Sequence, residues 1–251
     1  MSILITRPEP DCHELTQQLN AAGINAIAQP LLTIKAGNDL PDLINQLKNL
    51  RTDDFLIVIS VHAVNLAHNY LMSQDVCWPK NVHYIAVGHK TAATLKRVTG
   101  QKVISPQTRC DSEGLLALPE LANVTDRQIL ILRGNGGREL IHQTLTERNA
   151  KVSYCETYQR TWLALNGEAL CRTWQAQNVS TLVVTSGEQL AYLTHLVPKQ
   201  YLTWFFQCHL FVPSQRIANQ AKNLGYKNFS TVGSASNKAL FTFLSKIGSM
   251  G

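Results

Sequence analysis

The apolar residues of this chain fall into short runs separated by amphipathic stretches. Ile3-Leu4-Ile5, Leu56-Ile57-Val58-Ile59, Tyr84-Ile85-Ala86-Val87, Ile129-Leu130-Ile131-Leu132, Leu182-Val183-Val184 and Leu210-Phe211-Val212 are too short and too evenly apolar to be one face of a helix. Runs of this kind read as strands covered on both faces. Each gives way to a polar loop and then to apolar residues at helical spacing. This alternation predicts parallel sheets with helices on both faces, an α/β fold.

The pattern occurs twice. Ile3-Leu4-Ile5-Thr6-Arg7 matches Ile129-Leu130-Ile131-Leu132-Arg133, an offset of 129 − 3 = 126 residues in a chain of 251. The helix patterns that follow stop at Gly23 and Asn149, residue types that tolerate the left-handed conformation at a helix end. A second strand pattern comes next in each copy, over 25–34 and 151–158. The same offset aligns Leu56–Ser60 with Leu182–Ser186, Tyr84–Gly88 with Leu210–Ser214, and Thr91-Ala92 with Ile217-Ala218, and it slips by one residue near Gly100 and Gly225. Four strand–loop–helix patterns in one register predict an internal duplication and two similar α/β domains. Open parallel sheets bind ligands at the carboxyl ends of their strands, so two domains facing each other through these loops would form a cleft.

Composition narrows the classes. Hydrophobic residues make up 45% and charged residues 16%, too apolar and too weakly charged for a disordered chain. The longest apolar stretch, 55–61 and interrupted only by Ser60, is far short of the roughly 20 residues of a membrane span, and the start lacks the basic segment and apolar core of a signal peptide. These features predict a soluble, cytoplasmic protein. Its six cysteines are scattered without C-x-x-C, as in a reducing compartment, and its histidines show no metal-ligand spacing. No motif suggests a cofactor. Lys plus Arg exceeds Asp plus Glu by 23 − 17 = 6. No basic run interleaves with aromatics, so nucleic acid and membrane surfaces are disfavoured and a compact, multiply anionic ligand remains open.

The strand-end loops carry the candidate chemistry. Thr6-Arg7-Pro8, Ser60-Val61-His62, Gly88-His89-Lys90-Thr91, Arg133-Gly134-Asn135-Gly136-Gly137-Arg138, Thr185-Ser186-Gly187 and Ser214-Gln215-Arg216 hold hydroxyls, glycines and cations, and no acid before Glu139 or Glu188. Backbone N–H groups at a helix start, with Ser or Thr hydroxyls, form anion sites, and Arg adds bidentate carboxylate recognition. Helix capping alone would use many of the same residues. The glycine-rich loop matches neither a P-loop nor a dinucleotide fingerprint. No nucleophile elbow or carboxylate pair is visible. An enzyme built this way works by positioning and electrostatics.

Taken in order, Ile3-Leu4-Ile5-Thr6-Arg7-Pro8, Ser60-x-x-Ala63-Val64, Val87-Gly88-x-x-Thr91-Ala92, Arg133-Gly134-Asn135-Gly136-Gly137-Arg138-Glu139, Tyr158-Gln159-Arg160, Thr185-Ser186-Gly187-Glu188 and Ser214-x-Arg216-Ile217-Ala218 resemble the uroporphyrinogen-III synthases of the bacterial type, from Ile3 to about Leu240. The resemblance implies two flavodoxin-like domains joined by a two-stranded ribbon, with crossing strands near 31–34 and 158–162. The domains would be 1–34 plus 162–251, and 35–161. It implies a monomeric lyase of haem, sirohaem and cobalamin biosynthesis. Its substrate would be hydroxymethylbilane, a linear tetrapyrrole octacarboxylate, with transient handover from hydroxymethylbilane synthase possible. Such an enzyme would remove the terminal hydroxyl as water, invert the last pyrrole through a spiro intermediate and close the ring.

By position, the resemblance makes Tyr158 the candidate acid, its phenol donating to the leaving hydroxyl; the alternative is an ordinary strand tyrosine. Arg7, Ser60, His62, Gly88, Lys90, Thr91, Asn135, Arg138, Ser186, Gly187, Ser214 and Arg216 are candidate substrate contacts, with Arg133 a further charge partner; any of these arginines could instead be a surface ion pair. Two positions depart from the pattern. Val61, followed by His62, stands where many relatives have Pro after Ser, and Ile217 replaces the hydroxyl of Thr91 in the second copy. A non-enzymatic two-domain binder of an anionic metabolite fits the repeat equally well and would give a saturable complex without turnover.

Overall fold

The computed structural model describes residues 1–137 and 139–248. In chain order its strands and helices are β1 (Ser2–Ile5), α1 (Asp11–Ala21), β2 (Ala26–Ala28), β3 (Leu32–Ala36), α2 (Leu43–Lys48), β4 (Phe55–Val58), α3 (Val61–Ser73), β5 (His83–Ala86), α4 (His89–Thr99), β6 (Val103–Ile104), α5 (Ser112–Leu116) and β7 (Gln128–Gly134). There follow α6 (Leu140–Glu147), β8 (Lys151–Trp162), α7 (Gly167–Ala176), β9 (Val179–Val183), α8 (Gly187–Leu196), α9 (Leu202–Phe205), β10 (His209–Val212), α10 (Gln215–Leu224), β11 (Phe229–Thr231) and α11 (Asn237–Gly248). The chain divides into a first unit, Met1–Thr33 with Thr161–Gly251, and a second unit, Ile34–Arg160.

The first unit holds a parallel sheet of order β11-β10-β9-β1-β2. The second holds β8-β7-β4-β5-β6, likewise parallel, and β3 is added beside β8. Alternation along the strands assigns side chains to opposite faces, and helices cover both. In the second unit Leu56, Val58, Leu130 and Leu132 pack with Ala63, Val64, Ala67 and Leu71 of α3. Phe55, Ile57, Ile129 and Ile131 pack on the other face with Leu115 of α5 and Ile141 and Leu145 of α6. In the first unit Leu4, Leu182, Leu210 and Val212 face α8 and α10, whereas Ile3, Ile5, Val183 and Phe211 face α1 and α11.

The two sheets pair in one register. Phe55 opposes His83 and Thr181 opposes His209; Phe55 opposes Ile129 and Thr181 opposes Ile3. Ile129 opposes Val152 and Ile3 opposes Ala26; Tyr84 opposes Val103 and Leu210 opposes Phe229. Every one of these pairs maps onto its mate by the sequence offset of 126. The one-residue slip is confined to the ends of α4 and α10, where Gly100 (φ 67°) and Gly225 (φ 104°) adopt the left-handed conformation. The next strands are back in register. Gly23 (φ 79°) and Asn149 (φ 61°) take the same conformation after α1 and α6.

Two strand expectations are corrected. The strand pattern over 25–34 is two strands, β2 and β3, in different sheets. Pro30 lies between them, and without an N–H it cannot continue a ladder. Conversely, β8 runs unbroken to Trp162 rather than ending at Tyr158.

Candidate active site

In a parallel sheet all carboxyl ends lie on one rim, and the strand-end loops named above occupy these rims. In the second unit Ser60 caps α3, its Oγ accepting from the Ala63 N–H at 3.1 Å. His62 follows on the first turn. Gly88 is the cap of α4 without a side-chain bond, and a Cβ there would meet the Cys110 Cβ at 3.4 Å. Lys90 is exposed on the first turn of α4, and Thr91 is 6% exposed.

Tyr158 is 7% exposed, on β8 beside the end of β7. Arg133 opposes Glu156 and Gly134 opposes Tyr158, so Thr157 is one residue too many on β8. Such a bulge turns the following side chain to the other face. Tyr154 packs on the face of Ile129 and Ile131, yet Tyr158 packs with Cys155 on the face of α3. Simple alternation would have put Tyr158 with Tyr154. The bulge is held by the buried Thr157, whose Oγ1 donates to the Arg133 carbonyl and whose own carbonyl accepts from the Gly37 N–H at 3.0 Å. On the α3 side the His62 and Tyr158 rings meet at 5.6 Å between centroids, inclined by 55°. Among the described residues the Tyr158 hydroxyl makes no hydrogen bond, and its oxygen is not one of the fully buried polar atoms.

The loop after β7 is braced from within. Arg133, 3% exposed, donates through Nη1 to Glu139 Oε1 at 2.9 Å and through Nε to the Gly134 carbonyl, and it lies 4.2 Å over the Tyr154 ring. Tyr154 donates to Glu139 Oε2 at 2.8 Å. These two bonds hold the Glu139 carboxyl below the ordinary carboxylate range, and burial, with the bond to Glu139, pushes the Tyr154 phenol up to about 12. Arg133 thus spans the loop from Gly134 to Glu139. Gly136 (φ 71°) and Gly137 (φ 117°) occupy conformations open to glycine at no steric cost. The Asn135 amide bonds both backbone groups of Arg160. Arg138 lies outside the described residues.

The rim of the first unit repeats the design with fewer hydroxyls. Ser186 caps α8, accepting from the Gln189 N–H at 3.1 Å, and buried Gln189 accepts from the Thr185 N–H and Oγ1. Gly187 is held by Gln220 of α10, whose Nε2 donates to its carbonyl at 2.9 Å. Ser214 starts α10, but its hydroxyl caps nothing, and Arg216 is exposed. Arg7 differs: it is 8% exposed, paired with Asp11 at 2.8 Å and bonded to Asn237, and burial lowers its pKa against the pull of Asp11. Its buried Nε has no partner. Arg7 and Arg133 are therefore engaged internally, while Lys90 and Arg216 face outward. Gln189 and Tyr154 were not singled out in the sequence, and Gly134 and Glu139 only as members of the glycine-rich loop. Gln189 had a signal, the Ser-x-x-Gln spacing of a capping box; the others depend on the bulge and the loop path.

Among the described residues no group of three or more His, Cys, Asp or Glu could hold a metal ion, and no helix is long and apolar enough to cross a membrane.

Fold and rims define an α/β protein whose parallel strands carry donors, cations and, in the second unit, the Tyr158 phenol at their carboxyl ends. Residues 13–242 match the family model described as Uroporphyrinogen-III synthase HemD. The uroporphyrinogen-III synthase of Escherichia coli K12 is 45% identical over 97% of this chain and 100% of its own length, and that of Proteus mirabilis is 38% identical over 80% and 100%. Two solved structures share the fold. A mutant uroporphyrinogen III synthase from the extremely thermophilic bacterium Thermus thermophilus has a TM-score of 0.65 at 14% identity, covering 99% of this chain and 98% of that one. The uroporphyrinogen-III synthetase of Helicobacter pylori has 0.58 at 13%, covering 98% of each. The chain belongs to the uroporphyrinogen-III synthase family. It is an enzyme, a cyclising lyase of tetrapyrrole biosynthesis, and the reading as a binder without turnover is set aside.

Proposed function

We propose that the enzyme converts hydroxymethylbilane to uroporphyrinogen III with Tyr158 as the acid for the departing hydroxyl. The observation that carries this role is the phenol itself. It is turned by the Thr157 bulge onto the rim, packed against His62, and left with no hydrogen-bond partner on its oxygen among the described residues. As the carbon–oxygen bond breaks, its electron pair leaves on the oxygen and the pyrrole nitrogen fills the deficit. The phenol O–H stabilises that oxygen as it becomes water, and the proton released at ring closure restores the phenol. An electron-rich pyrrole already activates the leaving group, so a weak acid suffices.

The harder task is to choose the product. The free tetrapyrrole closes without inversion to isomer I, so the protein must hold the inverting conformer. Charge-assisted hydrogen bonds contribute about 1.5–3 kcal/mol each, and a bias of about 3 kcal/mol already gives more than a hundredfold preference. Ser60, His62, Gly88, Lys90 and Thr91 on one rim, and Ser186, Gly187, Ser214 and Arg216 on the other, are the proposed carboxylate donors. Lys90 and Arg216 supply outward-facing charge; Arg7 and Arg133 shape the loops.

We read the units as flavodoxin-like domains from a duplication, with boundaries at 1–34 plus 162–251 and 35–161. In support, β1, β2, β9, β10 and β11, counted 1 to 5, lie in the order 2-1-3-4-5 of that fold. The shared register of the ladders supports the duplication. A two-strand connection along β3 and β8 is supported by the Leu163 to Leu31 and Gly37 to Thr157 backbone bonds. A monomer in the cytoplasm, receiving its substrate from hydroxymethylbilane synthase, completes the proposal.

Tyr158→Phe tests the acid. It is expected to slow formation of isomer III at least about tenfold with the thermal unfolding midpoint unchanged. Full activity in this variant would remove Tyr158 from the chemistry.

A further inference from the structure

The Asn135 amide is engaged with the backbone of Arg160. Its Oδ1 accepts from the Arg160 N–H at 2.7 Å, and its Nδ2 donates to the Arg160 carbonyl at 3.3 Å. Its own N–H donates to the Tyr158 carbonyl at 3.1 Å, and the Arg160 guanidinium reaches its carbonyl at 3.4 Å. The side chain thus stands in for a further residue of β7, extending the ladder beside β8 where the backbone of β7 has turned away. Directly before it, Gly134 lies under Tyr158. A Cβ there would sit 2.4 Å from the ring carbons Cε2 and Cζ. No other residue type lets the phenol rest on the β7 backbone. The bulge at Thr157 turns Tyr158 to this face, Gly134 leaves room for its ring, and Asn135 anchors the backbone on both sides of Gln159.

We propose that Gly134 and Asn135 form the seat of Tyr158, and that Asn135 is a positioning residue for the proton donor rather than a contact for substrate carboxylates. The inference rests on Tyr158 being the acid. A seat acts on the geometry of the reacting group, and displacement by about 1 Å costs up to about a hundredfold in rate. Loss of a carboxylate contact would raise KM instead.

The test compares Asn135→Ala, Asn135→Asp, Tyr158→Phe and the double variant Asn135→Ala/Tyr158→Phe, with enzymatically generated hydroxymethylbilane and isomers I and III resolved by chromatography. The seat predicts that Asn135→Ala lowers kcat for isomer III at least about tenfold while KM stays within about twofold. Asn135→Asp keeps the shorter bond to Arg160 and is expected to retain most of the lost rate. If the alanine variant does not fold, Asn135→Asp against Gly134→Ala carries the comparison, and loss of kcat is then expected only for Gly134→Ala. In the Tyr158→Phe background Asn135→Ala is expected to cost less than about twofold further, because both act through one group. A raised KM at unchanged kcat, or a loss that adds in full to that of Tyr158→Phe, overturns the seat. A slow Tyr158→Phe beside a full-rate Asn135→Ala overturns the seat alone, whereas a full-rate Tyr158→Phe overturns the acid as well.

Discussion

Burial pushes the Cys12 and Cys155 thiols up to about 12 and those of Cys171 and Cys208 up to about 11, so all four stay neutral and unreactive at neutral pH. Cys77 and Cys110 are exposed. A thiol reagent under native conditions should therefore label only these two, and the other four after unfolding; prompt labelling of Cys155 would contradict the packing of β8. Glu139 gives a pH test of the loop brace. Its folded pKa lies below the ordinary value of 4.5, held there first by the Tyr154 bond and then by Arg133. A depressed carboxylate stabilises the fold above its unfolded pKa and loses that contribution as pH falls through the folded pKa. Wild type should unfold at a higher temperature than Glu139→Gln at pH 7, with the gap closing below about pH 4.5. A gap that widens on acidification would show that the carboxylate does not hold the loop. Most rim residues were legible in the sequence, because Ser, Gly and Arg after a strand signal caps and anion sites. The internal use of Arg7 and Arg133 was legible only in part: Asp11 and Glu139 stand four and six residues further on, whereas Asn237 and the Tyr154 ring are brought in by the fold.

At the scale of elements, three serines separate capping from recognition. Ser60 and Ser186 cap α3 and α8 in the same way, whereas the hydroxyl of Ser214 caps nothing at α10. Ser60→Ala and Ser186→Ala should each cost about 1 kcal/mol of stability. With Ser214 proposed as a substrate contact, Ser214→Ala should leave the unfolding midpoint in place and change only KM. Equal melting losses in all three would remove this distinction. The helices and buried strands were readable because period and apolar runs report local burial directly. The Thr157 bulge was not, because nothing local in Cys155-Glu156-Thr157-Tyr158 marks the extra residue; it follows from β7 ending at a glycine that accepts an aromatic ring. The split of 25–34 into two strands was signalled by Pro30, yet which sheet each half joins depends on long-range pairing.

For the whole molecule, the repeat at 126 residues reaches the level of individual ladder pairs in both units, so the α/β architecture could be read from one chain alone. Charge acts at this scale too. With a net charge of +6 and with Lys90 and Arg216 proposed as contacts for an octa-anion, KM is expected to rise with ionic strength, as screening weakens exposed charges, while kcat changes little. A flat KM between low and physiological salt would mean that exposed cations do not recruit the substrate. Incubating the protein with hydroxymethylbilane as that compound is produced, and resolving the products by chromatography, shows whether it decides which isomer forms: predominantly uroporphyrinogen III is expected, and isomer I alone, formed at the rate seen without protein, would contradict that role.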